Sequence, residues 1–199
     1  MDNRHKILDL GCGNVKVSGA VGLDNIALPE VDIVHDLLHF PYPIKANSFD
    51  TIYLRHVIEH FNIDKINNIM NECYRILKKD GQLYINVPHV FSIAAFTDPT
   101  HKQYFTFGSG YFWGKKYQKS YYSDIDSCWE LLTVECSRIT WFDWKKYQLK
   151  RLDEFLSSIM EKRINRALQK VYNPSLADRI IGKYNFQFVE IAWSLRKEI

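Results

Sequence analysis

Cysteine is scarce: Cys12, Cys73, Cys128 and Cys136 are the four in 199 residues, and no CxxC pair occurs among them. That spacing suggests neither a zinc ribbon nor a disulfide framework and leaves four reduced packing or backbone positions. An excess of one charge is also lacking, with 26 Lys/Arg against 23 Asp/Glu for a net +3. With 46% hydrophobic residues, this is the composition of one folded domain and not of a disordered segment. No apolar run approaches the ~20 residues that cross a bilayer, so no transmembrane segment is expected. The first residues show no charged, then apolar, then small-residue series of a secretory leader, and a cytoplasmic protein is expected. No internal repeat or low-complexity segment occurs.

What charge there is lies unevenly. Residues 1–140 carry 14 Lys/Arg and 16 Asp/Glu, net −2, and residues 141–199 carry 12 and 7, net +5. A basic tail of this size suits an anionic partner, but a solvated helix face accounts for it more simply.

Short apolar runs alternate with helical patterns in the first half, the signature of strands joined by crossover helices around a parallel sheet. Strands are predicted at 7–10, 20–23, 32–34, 49–54 and 82–87, with unusually short crossovers before the fourth. From Ile63 to Leu77 the apolar spacing gathers one helix face, and Gly81 stands where a left-handed cap would end it. The aromatic stretch Phe105 to Tyr122 reads as a long ordered loop that closes over the sheet, with stacking on a substrate as the second reading. A sixth strand is predicted at 131–141, a helix with a basic face at 149–170, and a last strand at 186–195. That helix is long enough to cap the site or to form a homodimer surface. Nothing marks a second domain: the chain is read as 1–199, with a cofactor-binding core at 1–110 and substrate-side additions and the last two strands at 111–199.

The chemistry concentrates in Ile7-Leu8-Asp9-Leu10-Gly11-Cys12-Gly13-Asn14, a strand entering a glycine turn. Ligands of open parallel sheets bind beyond such strand ends, where glycine lets them approach the backbone. Asp24, closing the second strand, offers two oxygens to a ribose diol. A dinucleotide fingerprint would need a glycine at position 16 and an acid ~20 residues on; the chain has Lys16, and Asp24 comes too early, which disfavours a nicotinamide cofactor.

The ordered set "ILDLGCGN", "VGLD", "HDL", "NSFDTIYLRHVIEHF" and "CYRILKKDGQLYINVPH" resembles the class I S-adenosylmethionine-dependent methyltransferases over about half the chain. The later "FTDPTHKQYFT" is similar to members acting on small-molecule or glycan-type substrates. The resemblance implies a Rossmann-like, doubly wound α/β fold, with a mostly parallel seven-stranded sheet whose last strand is antiparallel. It implies S-adenosylmethionine as cofactor, with S-adenosylhomocysteine as product. It places Asp9, Gly11, Cys12 and Gly13 in the first cofactor loop, Asp24 at the ribose, Asp36 and Leu37 at the adenine, and Arg55 and His56 near the methionine part and the methyl group. Val15 stands at the family's third glycine, and residues 14–20 are too few for a normal first crossover helix, so that helix is expected to be one turn or absent.

His101, beyond the fifth strand, is the first candidate for contacting an acceptor. Glu59 and His60 are candidates for a base or substrate anchor, with a pocket-shaping role as the alternative. His89 is a weaker candidate. The run His56-x-x-Glu59-His60 also matches an inverted zinc-peptidase motif if it lies on a helix; no downstream acid helix supplies a third ligand, and no metal ligands are assigned. The other readings kept open are a cofactor-binding protein without catalysis and an RNA or DNA methyltransferase. For the latter, Lys115, Lys116 and Lys119 make too weak a basic stripe among the aromatics.

Overall fold

A computed structural model describes residues 5–114, 127–138 and 189–198, together with Lys162, Asn165 and Asp178. Seven strands form one sheet: β1 (Ile7–Leu10), β2 (Ala20–Asp24), β3 (Ile33–Val34), β4 (Phe49–Arg55), β5 (Leu77–Pro88), β6 (Trp129–Arg138) and β7 (Val189–Lys197), in the order β3-β2-β1-β4-β5-β7-β6. The first five run parallel, and β7 inserts antiparallel between β5 and β6. This is the predicted seven-stranded, mostly parallel sheet with its last strand reversed. Leu8, Leu10, Ile52 and Leu54 are wholly buried and, paired in register, form one apolar face of the sheet.

Crossovers before β4 contain no helix at all. The segment between β1 and β2 is held by a side chain, Asp9 Oδ2 accepting the Val17 amide at 2.8 Å, so a buried carboxylate satisfies a backbone donor that a helix would otherwise use. α1 (Ile63–Ile76) follows β4 and is the only α-helix longer than four residues among the described residues. It buries Ile66, Ile69, Met70, Cys73 and Ile76 against the sheet, the face that the spacing marks out. None of the helices described is long and apolar enough to cross a membrane.

Three boundaries differ from expectation. α1 passes straight into β5, because Leu77 is already extended, and the left-handed residue is Asp80 (φ 60°), not Gly81. Gly81 is needed for space: a Cβ there would lie 2.9 Å from the Lys78 carbonyl oxygen. β6 begins at Trp129 and β7 ends at Lys197, so each extends two residues past its predicted edge on that side. The predicted helix at 149–170 lies outside the described residues apart from Lys162 and Asn165. Asn165 is informative, since its Oδ1 accepts the Cys136 amide at 2.7 Å and its Nδ2 donates to the Cys136 carbonyl at 2.9 Å, occupying the otherwise open edge of β6.

The aromatic stretch packs. Phe105, Phe107 and Trp113 are buried, and Phe105 and Trp113 meet Trp193 of β7 edge-on or tilted, with ring centroids 5.7 and 5.8 Å away; residues 115–122 lie outside the described set. A Cβ on Gly110 would come within 2.7 Å of the Trp193 ring. Gly110→Ala is therefore expected to destabilise the fold by about 1–3 kcal/mol through overpacking, as read by urea unfolding, and an unchanged midpoint would remove the contact from the account.

α1 also anchors the β3–β4 connection. Glu72, about one turn before the helix ends and buried, accepts the Tyr42 amide at 2.6 Å and two bonds from Arg75 at 2.6 and 2.8 Å. Burial pushes its carboxyl up, and the Arg75 and Tyr42 donors outweigh that and hold it below its usual value. A carboxyl depressed on folding contributes stability above its unfolded pKa, about 4.3, that is lost as pH falls through the folded value. Glu72→Gln should therefore be about 1–3 kcal/mol less stable at pH 7, with the gap closing as pH drops below about 4. A gap constant with pH would assign the cost to packing.

Candidate active site

The strand order reverses between β1 and β4, and the carboxyl ends of those two strands open a cleft of about 870 Å³. Sites of open α/β sheets form at such switch points, and the volume falls in the range of small-molecule sites. Gly11 turns the chain out of β1 in a left-handed conformation (φ 67°), and a Cβ there would lie 2.6 Å from Val57 Cγ2. Gly13 is also left-handed (φ 53°), and its missing Cβ faces open space. Gly11 lines the cleft, and Gly13 stands beside it.

Arg55 closes β4 and reaches back across this turn. Its Nη2 donates to Asp9 Oδ2 at 2.7 Å and to the Val15 carbonyl. Asp9 is fully buried, and its Oδ1 lacks a hydrogen-bond partner. Cys12 lies beside them, with burial and then the Asp9 and Asp24 carboxylates pushing its thiol up, so it stays protonated and is no nucleophile.

His56 follows in a left-handed conformation (φ 55°), which directs its ring between two acids. Nε2 lies 3.0 Å from Glu190 Oε1, and Nδ1 lies 3.3 Å from Glu59 Oε1. Burial alone would push the imidazole down, but its contacts with Glu190 and Glu59 prevail and raise it to about 9. His56 is thus a fixed imidazolium at neutral pH, a donor and not a base.

Glu190 escaped the sequence reading, because it stands 134 residues from its partner. A usable signal did exist: in a reversed last strand the first residues lie at the carboxyl edge of the parallel strands, and Glu190 pairs in register with Pro88. An acid opening that strand is placed at the cleft by topology alone.

Beyond β5, His101 and His60 face each other across the cleft's other end, with ring centroids 4.8 Å apart. The two segments are stapled by the Glu59 carbonyl, which accepts the Lys102 and Gln103 amides at 2.7 and 3.1 Å. Gly11, Cys12, Arg55, His56, His60 and His101 all line this cleft. Asp24, Asp36 and Leu37 do not line it; they stand at the same sheet edge, beyond β2 and β3.

Geometry decides against one alternative and one weaker candidate. The His56-to-His60 run does not lie on an α-helix: only Ile58–His60 form a single 3-10 turn, and His56 sits outside it, held by Glu190. Two imidazoles on one helix face, which the zinc-peptidase motif requires, are therefore absent. His89 is fully buried away from the cleft; its Nε2 contacts Asp178 Oδ1 at 2.8 Å, and its Nδ1 accepts the Phe91 amide. It ties loops together and is not a cleft residue.

Comparison with known proteins bears on the fold. Residues 23–85 match a family described as a methyltransferase domain. The fold resembles a methyltransferase dependent on S-adenosylmethionine from Archaeoglobus fulgidus (TM-score 0.56, 15% identity, 98% of this chain and 87% of that one). It also resembles the YcgJ protein of Bacillus subtilis (TM-score 0.53, 15% identity, 98% and 93%). The chain has the fold of the class I S-adenosylmethionine-dependent methyltransferases. A third likeness is phosphoethanolamine N-methyltransferase 2 of Haemonchus contortus, solved with S-adenosylhomocysteine (TM-score 0.50, 14% identity, 100% and 50%). No curated protein sequence matches the chain.

The residues of this methyltransferase fold suit its cofactor. Asp24 Oδ2 accepts the Gly13 amide at 2.9 Å and Oδ1 the Ile26 amide at 3.1 Å. Each oxygen keeps acceptor capacity for one hydroxyl of a ribose. The bare Gly13 and the cleft-lining Arg55 leave room and a positive charge for the amino-acid part. Asp36 is exposed and folded back on its own loop, Oδ1 accepting the Leu38 amide and Oδ2 contacting His39. Leu37, beside it, is buried, and its carbonyl accepts the Tyr42 hydroxyl.

Proposed function

We propose that the protein transfers the methyl group of S-adenosylmethionine to an oxygen, nitrogen or carbon nucleophile on a small-molecule or glycan-type acceptor. One observation carries the reading: a single cleft at the switch point has the glycine turn and Arg55 on one wall and His60 and His101 on the other. The cofactor, when bound, supplies a methyl on a positive sulfonium, reactive without further activation. The chain's task is then to position two partners and exclude water, and proximity of this kind supplies on the order of 7–11 kcal/mol.

Each residue takes a part accordingly. Asp24 holds the ribose diol, Asp36 and the Leu37 backbone take the adenine edge, and the Gly11–Gly13 turn admits the donor close to the backbone. Arg55, neutralised only in part by buried Asp9, receives the carboxylate of the amino-acid part. His56, already protonated, fixes the floor between Glu59 and Glu190. Proton removal from an acceptor hydroxyl falls to His101 or His60, where a positioned histidine contributes ~100-fold to ~10,000-fold.

Calorimetric titration with S-adenosylhomocysteine, followed by transfer of labelled methyl from S-adenosylmethionine to a panel of hydroxyl and amine acceptors, tests the reading. Saturable binding at one site with label transferred to an acceptor is the expected result. Absence of binding sinks the reading, and binding without transfer to any acceptor favours a non-catalytic cofactor-binding protein. With a hydroxyl acceptor in hand, His101→Ala should lower kcat at least ~100-fold if it removes the proton; an unchanged kcat would release it from that role.

A further inference from the structure

We propose that Glu59, His60 and His101 form a divalent-cation site at the acceptor end of the cleft, and that the cation holds the acceptor through a hydroxyl oxygen. One donor atom from each of the three lies within 4.8 Å of the others. Tetrahedral bonds of about 2.1 Å place donors about 3.4 Å apart, so modest side-chain rotations close the set. Two imidazoles and a carboxylate suit zinc, manganese, cobalt or iron in the divalent state, with the remaining positions open to solvent or substrate.

Hydrogen bonding prepares each ligand. The Thr100 hydroxyl donates to Asp98 Oδ1 at 2.7 Å, so toward His60 Nδ1, 2.9 Å away, Thr100 Oγ1 acts only as acceptor. His60 therefore carries its proton on Nδ1 and offers the Nε2 lone pair. His101 does the same, its Nδ1 donating to the Ala95 carbonyl at 2.8 Å. Fixing the far nitrogen of a histidine by such a bond is the usual outer shell of a metal ligand. Asp98, held below its usual carboxyl range by the Thr100 hydroxyl and amide, completes a carboxylate–threonine–histidine relay.

Glu59 is the independent observation. Its side chain is 1% exposed, and its ion-pair partner is His56, whose Nδ1 lies 3.3 Å from Oε1 and whose Nε2 is held by Glu190. One imidazolium between two buried carboxylates leaves a net negative charge that is costly to bury, and a cation bridging Glu59 to His60 and His101 would offset it. The staple from the Glu59 carbonyl to residues 102 and 103 holds both segments in place beforehand.

The ligand chemistry defines the acceptor class, and this part rests on the methyl-transfer reading, whereas the cation site does not. A hydroxyl bound to the cation becomes acidic near neutral pH. With His60 and His101 held as ligands, neither takes the proton: the O–H bond breaks with the proton leaving to solvent, the oxygen pair forms the new O–C bond, and the C–S bond breaks with its pair staying on sulfur. A sulfonium becomes a thioether, and no redox partner is required.

The test uses the untagged full chain, stripped with a chelator and titrated with Co2+ while its visible absorption is followed. One saturable equivalent is expected. His60→Ala and His101→Ala should each weaken binding at least about tenfold, since even outer-shell substitutions cost ~10–100-fold, and Glu59→Gln, which keeps the buried volume, should do the same. Absence of binding, or undiminished binding in all three variants, overturns the site. Calorimetry with S-adenosylhomocysteine on the same stripped sample separates the two claims: cofactor binding without cobalt binding defeats the cation site alone, and the reverse defeats the methyl-transfer reading alone. Oxygen methylation that continues at full rate in chelator overturns the acceptor role.

Discussion

Replacing Asp24 by alanine is expected to weaken binding of S-adenosylmethionine and S-adenosylhomocysteine by at least roughly 100-fold. Two hydrogen bonds from a ribose diol to a carboxylate contribute ~1.5–3 kcal/mol each, and both vanish. The carboxylate also orders the glycine turn by accepting the Gly13 amide and its own loop by accepting the Ile26 amide. Alanine therefore removes both a contact and its preorganisation. Asparagine separates the two: it retains one acceptor oxygen and nearly the same volume, and should give an intermediate loss. Calorimetric affinity for S-adenosylhomocysteine, with urea unfolding to show that the fold persists, is the measurement. Affinity within twofold of the parent in Asp24→Ala would refute the ribose role.

Local pattern carried much of the fold. The apolar runs of β1 and β2 and the amphipathic face of α1 are written in consecutive residues, and burial of those faces leaves little choice about them. Even the missing first crossover helix is legible, because residues 14–20 are too few to form one. What local pattern does not carry is contact across long separations. Glu190 meets His56 only because β7 is inserted antiparallel beside β5, and the bond between them is a consequence of topology.

The same limit governs the HxxEH run. As sequence, it pairs His56 with His60 through helical spacing. In the fold, the left-handed His56 breaks that spacing, commits its ring to two acids, and leaves His60 to face His101, 41 positions along. His101 and His60 were each legible as cleft residues from their position after β5 and β4; their pairing was not. The hydrogen bonds that choose their tautomers come from Thr100 and the Ala95 carbonyl, and no local spacing announces that either reaches these rings. Likewise, the left-handed residue after α1 falls on Asp80 because the helix yields directly to β5, which sequence alone does not register.

Arg55→Leu is expected to carry the largest stability cost at the site. Asp9 is fully buried, one of its oxygens has no donor, and the other is held by the Val17 amide and by Arg55. Removing one partner of a buried pair leaves an uncompensated charge, which costs ~3–5 kcal/mol. Because Arg55 is itself a third exposed, water takes over part of its role, and the lower figure of about 3 kcal/mol applies. Asp9→Asn combined with Arg55→Leu should recover part of the loss, with a coupling of about 1 kcal/mol or more in a double-mutant cycle by urea unfolding. Cofactor affinity should fall in both variants, because Arg55 also fixes the Val15 carbonyl and with it the turn that the cofactor lies against. A stability within about 0.5 kcal/mol of the parent for Arg55→Leu would show that Asp9 is compensated by something other than this pair, and would detach Arg55 from the glycine turn.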